Sequence, residues 1–497
     1  MALESAYQPL ATSPSNESNL DEQKGRHRRS RIDIPFTSFI LSRRKLVLAI
    51  LLSLSLISAA LFSLPALKTL YGSPIELVPA ENPYFQTGGI WDHNDAIAAK
   101  LYRCEALGLL RNTSLPLESN LRPSAEEEAA LTAEGCGTNE TTIIILASLW
   151  FAEAYSGTSN TGESIYAQSV ISALNANNYS YVFTSLGWYN PDMKKTVELW
   201  NQHRWNVRMI LADPDQVNVC WNPEHNCTKS EANPEGIEAW RLMSFWYWDT
   251  IGNPLGPTFT LSPFAKTPNT LMSLSIEPTC KRLPYLPSAY RPHPPQAWLL
   301  AKQVHYLDNT TAFSWTLEAL TGLQKEFGIH VKGGMVDDDA ETLKRVKAAN
   351  IENVGRLGKI EFYEELAKSS VLIGVGRPRI SPSPWDALCV GVPFINPILE
   401  WDEEDPKDRS KWHAQQWHMT DLDPPYVYNV HAHDIVGLRR AVHAAIHHPI
   451  ESFIPEVMTF KWVRNRMGEI VESDWRTKAK GILEERLRVG EGALFVM

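Results

Sequence analysis

Residues 370–397, SVLIGVGRPRISPSPWDALCVGVPFINP, constrain the fold more than any other stretch of this chain. A continuous apolar run, 371–375, breaks at Gly376 and enters a proline-rich loop. A short helix is predicted next, with Ser383 as N-cap, Pro384 at the first helical position and Asp386 where a capping box puts an acid. Gly391 stops that helix, and residues 392–395 read as the next buried strand. Strand, loop, short helix and strand, with both strands apolar throughout, is the pattern of a parallel sheet covered on both faces. A loop at the carboxyl end of such a strand, leading into a helix N-terminus, is a natural place for an anion. Taken locally, the pattern equally suits an ordinary strand–helix–strand unit in which Asp386 serves only as a cap.

The rest of the chain offers a second unit of the same kind. Residues 141–151 (TTIIILASLWF) read as a buried strand, followed by a small-residue loop up to Gly162. Glu163 opens a predicted helix in which Tyr166, Val170 and Leu174 recur at helical spacing. Strands over 179–184 and 207–211 flank a polar helix near 191–204, giving a Rossmann-like half. Gly157 and Gly162 lack the GxGxxG spacing, which argues against a nicotinamide or flavin cofactor. Residues 213–290 are rich in aromatics and prolines with weak periodicity, and 271–276 reads as a strand ending at Glu277. Five prolines between 284 and 295 stiffen a connection between two domains. A second alternating series begins at Ala297, with a strand over 297–304 that contains Lys302. Helices near 312–327, 340–349 and 360–369 and a strand near 329–336 lead into the 370–397 unit, and residues 455–488 have helical patterning.

The amino end sets the expected location. Residues 1–45 form a polar tail, and residues 46–67 are apolar, uncharged and about long enough to cross a bilayer as a helix. Arg26, Arg28, Arg29, Arg31, Arg43, Arg44 and Lys45 precede the span while only Lys68 closely follows it, so the amino end is expected to stay cytosolic. This predicts a single-pass type II protein whose remainder is luminal: a stem over 68–90, domains over 91–290 and 291–450, and a helical segment over 451–497. Asn112, Asn139, Asn178, Asn226 and Asn309 head sequons after the span, as a secretory protein would have. The six cysteines also follow it. Their spacing leaves the pairing open, although Cys220 and Cys227 could close a small loop, and no zinc-ligand spacing is present. A net charge of −10 argues against a general nucleic-acid binder.

The order and content of these units resemble glycosyltransferases of family 18, the α-1,6-mannosylglycoprotein 6-β-N-acetylglucosaminyltransferases. GRPRISPSPWDALCVGVPFINP is similar to that family's donor segment, G-x-P-x-x-G-P-A-P-L-E-A followed by F-L-N-P: the Pro-x-Pro, the acid, Ala387, Gly391 and the Phe-Ile-Asn-Pro run ending at Pro397 are in place. SGTSNTGESIYAQSVISAL resembles the family's SGG-PLGEL segment, and LSIEPTC and AWLLAKQV around Glu277 and Lys302 are weaker matches in the right order. Two departures stand out: Asp386 replaces the family's Glu, and one of two glycines before the catalytic Glu is missing.

The resemblance implies an α/β, GT-B-like fold, two Rossmann-like domains facing a cleft behind an N-terminal transmembrane helix. It implies a Golgi enzyme that moves N-acetylglucosamine from UDP-GlcNAc to a mannose of a glycoprotein N-glycan with inversion. Glu163 would be the catalytic base. Lys302, Ser383 and Asp386 would bind the donor, and Glu277 the acceptor. No metal or other cofactor is expected, because helix N-termini and basic side chains commonly take the charge of the leaving UDP in such sites. Competing readings are a GT-A enzyme holding Mn²⁺ through Asp337 and Asp339, a GT-B transferase of another sugar, and a non-catalytic luminal lectin. For the 337–339 triplet, a solvated turn before a helix is the simpler account. Trp401, Trp412 and Trp417, with His413 and His418, could shape an acceptor cleft or pack an irregular loop.

Overall fold

A computed structural model describes residues 89–497 apart from 117–120, 158, 160, 185–192 and 283–284. The predicted tail and transmembrane span, and the predicted stem up to residue 88, lie outside the described residues. Among the described residues no helix is long and apolar enough to cross a membrane.

The amino half is built on one parallel sheet. Helices α1 (Ile90–Ala106), α2 (Ala125–Ala133) and α3 (Thr138–Thr141) lead into β1 (Ile143–Leu146). Then come α4 (Leu149–Ser156), α5 (Gly162–Ala176), β2 (Ser180–Phe183), α6 (Lys194–His203), β3 (Val207–Ala212) and α7 (Pro214–Trp221). Strands β4 (Leu242–Phe245), β5 (Thr260–Ser262) and β6 (Thr270–Leu271) and the short α8 (Glu277–Cys280) complete it. The strand order is β2-β1-β3-β4-β5-β6, all parallel. The order reverses between β1 and β3, and the crevice outside the carboxyl ends of those strands is where such sheets bind ligands.

The run at 141–151 is shorter as a strand than its apolarity suggests. Only four residues pair, because the Ser148 hydroxyl accepts the Trp150 N–H at 3.3 Å and turns the chain into α4. Residues 213–290, which lack periodicity, hold three strands of two to four residues. Of the strand expected at 271–276, only its first residue pairs.

The carboxyl half repeats the plan. Its elements are β7 (Gln296–Leu300), α9 (Leu317–Phe327), β8 (His330–Gly333), α10 (Ala340–Ala348), β9 (Glu352–Asn353), α11 (Lys359–Ala367) and β10 (Val371–Gly374). They continue with α12 (Ser383–Cys389), β11 (Phe394–Glu400), β12 (His413–Ala414), β13 (Val427–His431) and α13 (Ile435–His447). The sheet runs β12-β11-β10-β7-β8-β9 with β13 also on β11, parallel except for β12. The reversal falls between β7 and β10, so the loops after residues 300 and 374 flank the second crevice. Lys302 therefore lies beyond its strand rather than within it, because pairing ends at Leu300.

The chain then returns to the first half. Helix α14 (Phe460–Glu472) packs along α5, and α15 (Trp475–Val489) follows. The buried Arg208 guanidinium of β3 donates to Glu472 at 3.3 Å and to the Val471 carbonyl at 3.4 Å, and Tyr179 donates to Glu472 at 3.0 Å. Three disulfides form: Cys104–Cys136, the local Cys220–Cys227 and Cys280–Cys389. The last ties α8 of the first half to α12 of the second.

Candidate active site

The donor-type unit is held from beneath by buried amides. Gly376, at φ +106°, closes so tightly on the Ala312 carbonyl that any Cβ would overlap it. Its N–H donates to Gln415 Oε1 at 2.8 Å, and Gln415 Nε2 donates to the Pro378 carbonyl at 3.0 Å. Gln416 accepts the Ser381 N–H at 2.8 Å and is itself fixed through Asn396. Nothing in the spacing of the Gln415–Gln416 pair marks it from sequence. The loop conformation rests on it all the same.

The capping box expected around Ser383 does not form. Pro382 takes the N-cap position, and the Ser383 hydroxyl instead accepts from the Ser381 hydroxyl at 3.2 Å. Asp386 points into the interior, only 4% exposed, and accepts a hydrogen bond from the Tyr363 hydroxyl. Burial pushes its carboxyl up to about 6, against the Tyr363 hydrogen bond and the charge of Lys359. Lys359 itself is held below the usual amine range by burial, with Asp386 opposing and Arg282 adding to the shift.

Glu163 stands in the first turn of α5, whose cap is the Thr161 hydroxyl accepting from Ser164 N–H at 3.3 Å. Since Thr161 does the capping, Glu163 is left half-buried with no hydrogen-bond partner among the described residues. Both its carboxylate and that of Asp386 act on one group, the Tyr247 hydroxyl, whose ionisation they oppose after the larger effect of burial. Tyr247 follows β4 and is packed edge-on against Phe264, ring centroids 5.2 Å apart. Phe264 stacks in turn on His418 of the second half at 4.2 Å, and His418 Nε2 accepts the Trp385 Nε1–H at 3.0 Å. Burial, then the charge of Lys266, push His418 down to about 3, which keeps it neutral. Of the aromatic set after the donor strand, Trp417 and His418 thus line the seam between the halves, while Trp401 and Trp412 gather on His431.

A further acid is near enough to Glu163 to feel its charge. Asp213 follows β3, and its Oδ1 accepts the Ser148 hydroxyl at 3.0 Å. These two residues follow the strands between which the sheet order reverses. Burial pushes Asp213 up to about 7, with Asp215 and Glu163 adding to the rise and Ser148 and the Leu149 N–H opposing it. A lone Asp after a strand carries no pattern, so only the strand order brings it forward.

The other predicted residues are placed apart from this group or at its edge. Lys302 is exposed after β7, and its ammonium has no partner among the described residues. Glu277 accepts the Phe460 N–H at 2.6 Å and an ion pair from Lys281, which fixes the start of α14. Burial acts to raise its carboxyl, and these bonds outweigh it to leave a lowered value. Glu277 shares a surface hollow with Lys461 and Arg464 rather than with Glu163. In the acidic triplet, Asp338 binds His305 and Asp339 caps α10 through the Glu341 and Thr342 N–H groups, as a turn before a helix would. Among the described residues no group of three or more His, Cys, Asp or Glu gathers as a metal site.

Two largely parallel sheets, each with a crevice at its switch point, follow the plan of doubly wound α/β folds. The glycosyltransferase family 18 model matches residues 302–480, the greater part of the carboxyl half. No curated protein matches. Similar solved structures include the UDP-GlcNAc 2-epimerase of Methanocaldococcus jannaschii, at 10% identity over 66% of this chain and 99% of that one, TM-score 0.37. An O-GlcNAc transferase mutant of Thermobaculum terrenum is 10% identical over 70% of this chain and 67% of its own, TM-score 0.34. An α-glucosyltransferase in complex with UDP and DNA is 8% identical over 67% and 99%, TM-score 0.34.

Proposed function

We propose that this protein is an inverting glycosyltransferase that moves N-acetylglucosamine from UDP-GlcNAc to a mannose hydroxyl of a glycoprotein N-glycan. The observation that carries the reading is the packed chain from the start of α5 to α12: Gly162, next to Glu163, lies against the Tyr247 hydroxyl, Tyr247 packs on Phe264, Phe264 stacks on His418, and His418 accepts from Trp385, next to Asp386. The Glu163 carboxylate has no hydrogen-bond partner among the described residues, which leaves its lone pairs open as a base needs. It takes the proton of the mannose hydroxyl as that oxygen attacks the anomeric carbon and the bond to UDP breaks. Lys302, beside the second switch point, and the N–H groups at the start of α12 receive the charge developing on the leaving diphosphate. Asp386 reaches the donor ribose only if it exchanges the Tyr363 bond for it. The predicted type II topology and Golgi location fit this substrate pair.

A donor screen with a mannose-terminated N-glycan acceptor tests the sugar, and Glu163→Gln tests the base. The substitution should cut turnover by at least about a hundredfold while donor binding stays near wild type. Full turnover in that variant would refute the role. Activity that survives EDTA separates this reading from the manganese-dependent one. UDP release only when acceptor is present separates it from a lectin.

A further inference from the structure

We propose that the Tyr247 hydroxyl is the donor that positions the Glu163 carboxylate, a role that rests on the reading of Glu163 as the base. The hydroxyl is fully enclosed yet has no hydrogen-bond partner among the described residues. Buried polar groups are nearly always paired, so an orphan needs an explanation. Its place is fixed from several sides. Phe264 and Trp248 meet the ring edge-on, with centroids 5.2 Å and 5.9 Å away, and Gly162 lies against the hydroxyl so closely that a Cβ there would overlap it.

The residue after Gly162 is Glu163, whose carboxylate also lacks a hydrogen-bond partner among the described residues. A donor without an acceptor therefore stands beside an acceptor without a donor, at the start of the fifteen-residue helix α5. Asp386, the other acid acting on Tyr247, already accepts from Tyr363 and is not the natural partner. Glu163 is half-buried, so rotation about its side-chain torsions is open to it, and a Tyr O–H to carboxylate bond is of the strong, charge-assisted kind. With the crevice filled and water displaced, that bond fixes the direction of the carboxylate and favours its charged form.

Tyr247→Phe in the full-length protein tests this, using the donor returned by the screen and a mannose-terminated acceptor across a range of pH. The expected result is a kcat lower by about tenfold with KM little changed. The acidic limb of the kcat profile should move about one unit to higher pH, because the bond that favoured the charged base is gone. The thermal midpoint should hold or rise, since the lost hydroxyl pairs with nothing among the described residues. Gly162→Ala, which displaces the ring, should move the same limb in the same direction. An unmoved limb in Tyr247→Phe, alongside an inactive Glu163→Gln, overturns this inference and leaves the base assignment standing. A lower midpoint with an unmoved limb marks Tyr247 as structural and also overturns it. An active Glu163→Gln, or no turnover with any donor, overturns both.

Discussion

Asp213→Asn should change the sign of its effect on stability with pH. In the folded protein Asp213 titrates at about 7, against 3.8 for the free side chain. Between those values the unfolded chain has released a proton that the folded chain still holds. The stabilising contribution is therefore complete below about 3.8 and is lost as pH rises through about 7. At about 1.4 kcal/mol per unit, the full loss is on the order of 4 kcal/mol, of which about 3 falls between pH 5 and pH 8. Solvent reaching the carboxylate makes these upper figures.

Asparagine keeps the shape, can still accept from Ser148 and the Leu149 N–H, and is as good an N-cap for α7. It adds an amide donor whose lack of a partner costs about 1 kcal/mol or more. Near pH 5 the variant should match or fall slightly below wild type; near pH 8 it should exceed it. Urea unfolding read by tryptophan fluorescence at both pH values measures the gap, with the thermal midpoint as a second probe. A gap that stays constant from pH 5 to pH 8 would show that Asp213 ionises alike in both states and would refute the argument. Because the Glu163 charge contributes to the rise, Glu163→Gln should reduce the slope of the wild-type curve.

Two further predictions concern the ties between the halves. Glu472→Ala leaves the buried Arg208 guanidinium without its carboxylate and should cost about 2 kcal/mol, below the usual cost for a fully buried pair because Glu472 is 36% exposed. Arg208→Met should cost less, which chemical denaturation of both variants would check. Cys280–Cys389 spans 109 residues, so replacing Cys389 by Ser should destabilise by about 2–5 kcal/mol; non-reducing peptide mapping of the wild type should recover this pair.

The parts legible in the sequence were those with a run of like residues behind them. The apolar stretch before Gly376, Pro384 just inside α12 and Gly391 after it marked a strand–loop–helix–strand unit that is present. Its details were not legible. Asp386 at the capping position is a local rule, and the buried Tyr363 hydroxyl, 23 residues earlier, overrides it. Strands β4, β5 and β6 are too short for an alternation to register, and they sit among aromatics whose burial comes from neighbours distant in sequence. Tyr247 and Asp213 each follow a strand with no motif around them. Their importance appears only once the strand order sets β3 and β4 on the same side of β1.

The two acids nominated from sequence are therefore not equivalent. A base must present a lone pair to an incoming hydroxyl, and a carboxylate already committed to the fold cannot do so without giving up a bond. Asp386 is enclosed, bonded by Tyr363 and balanced by Lys359. Its protonation shifts with burial, and its present work is to hold α12 against α11. Glu163 has the opposite circumstances: a helix start capped by another residue, partial access to solvent and no hydrogen-bond partner among the described residues. The shorter side chain at 386 is consistent with this division. An Asp reaches Tyr363 from α12, and the extra methylene of a Glu would have to be packed into a site that is already full. Asp386→Glu should for that reason perturb stability before it restores any contact with a nucleotide.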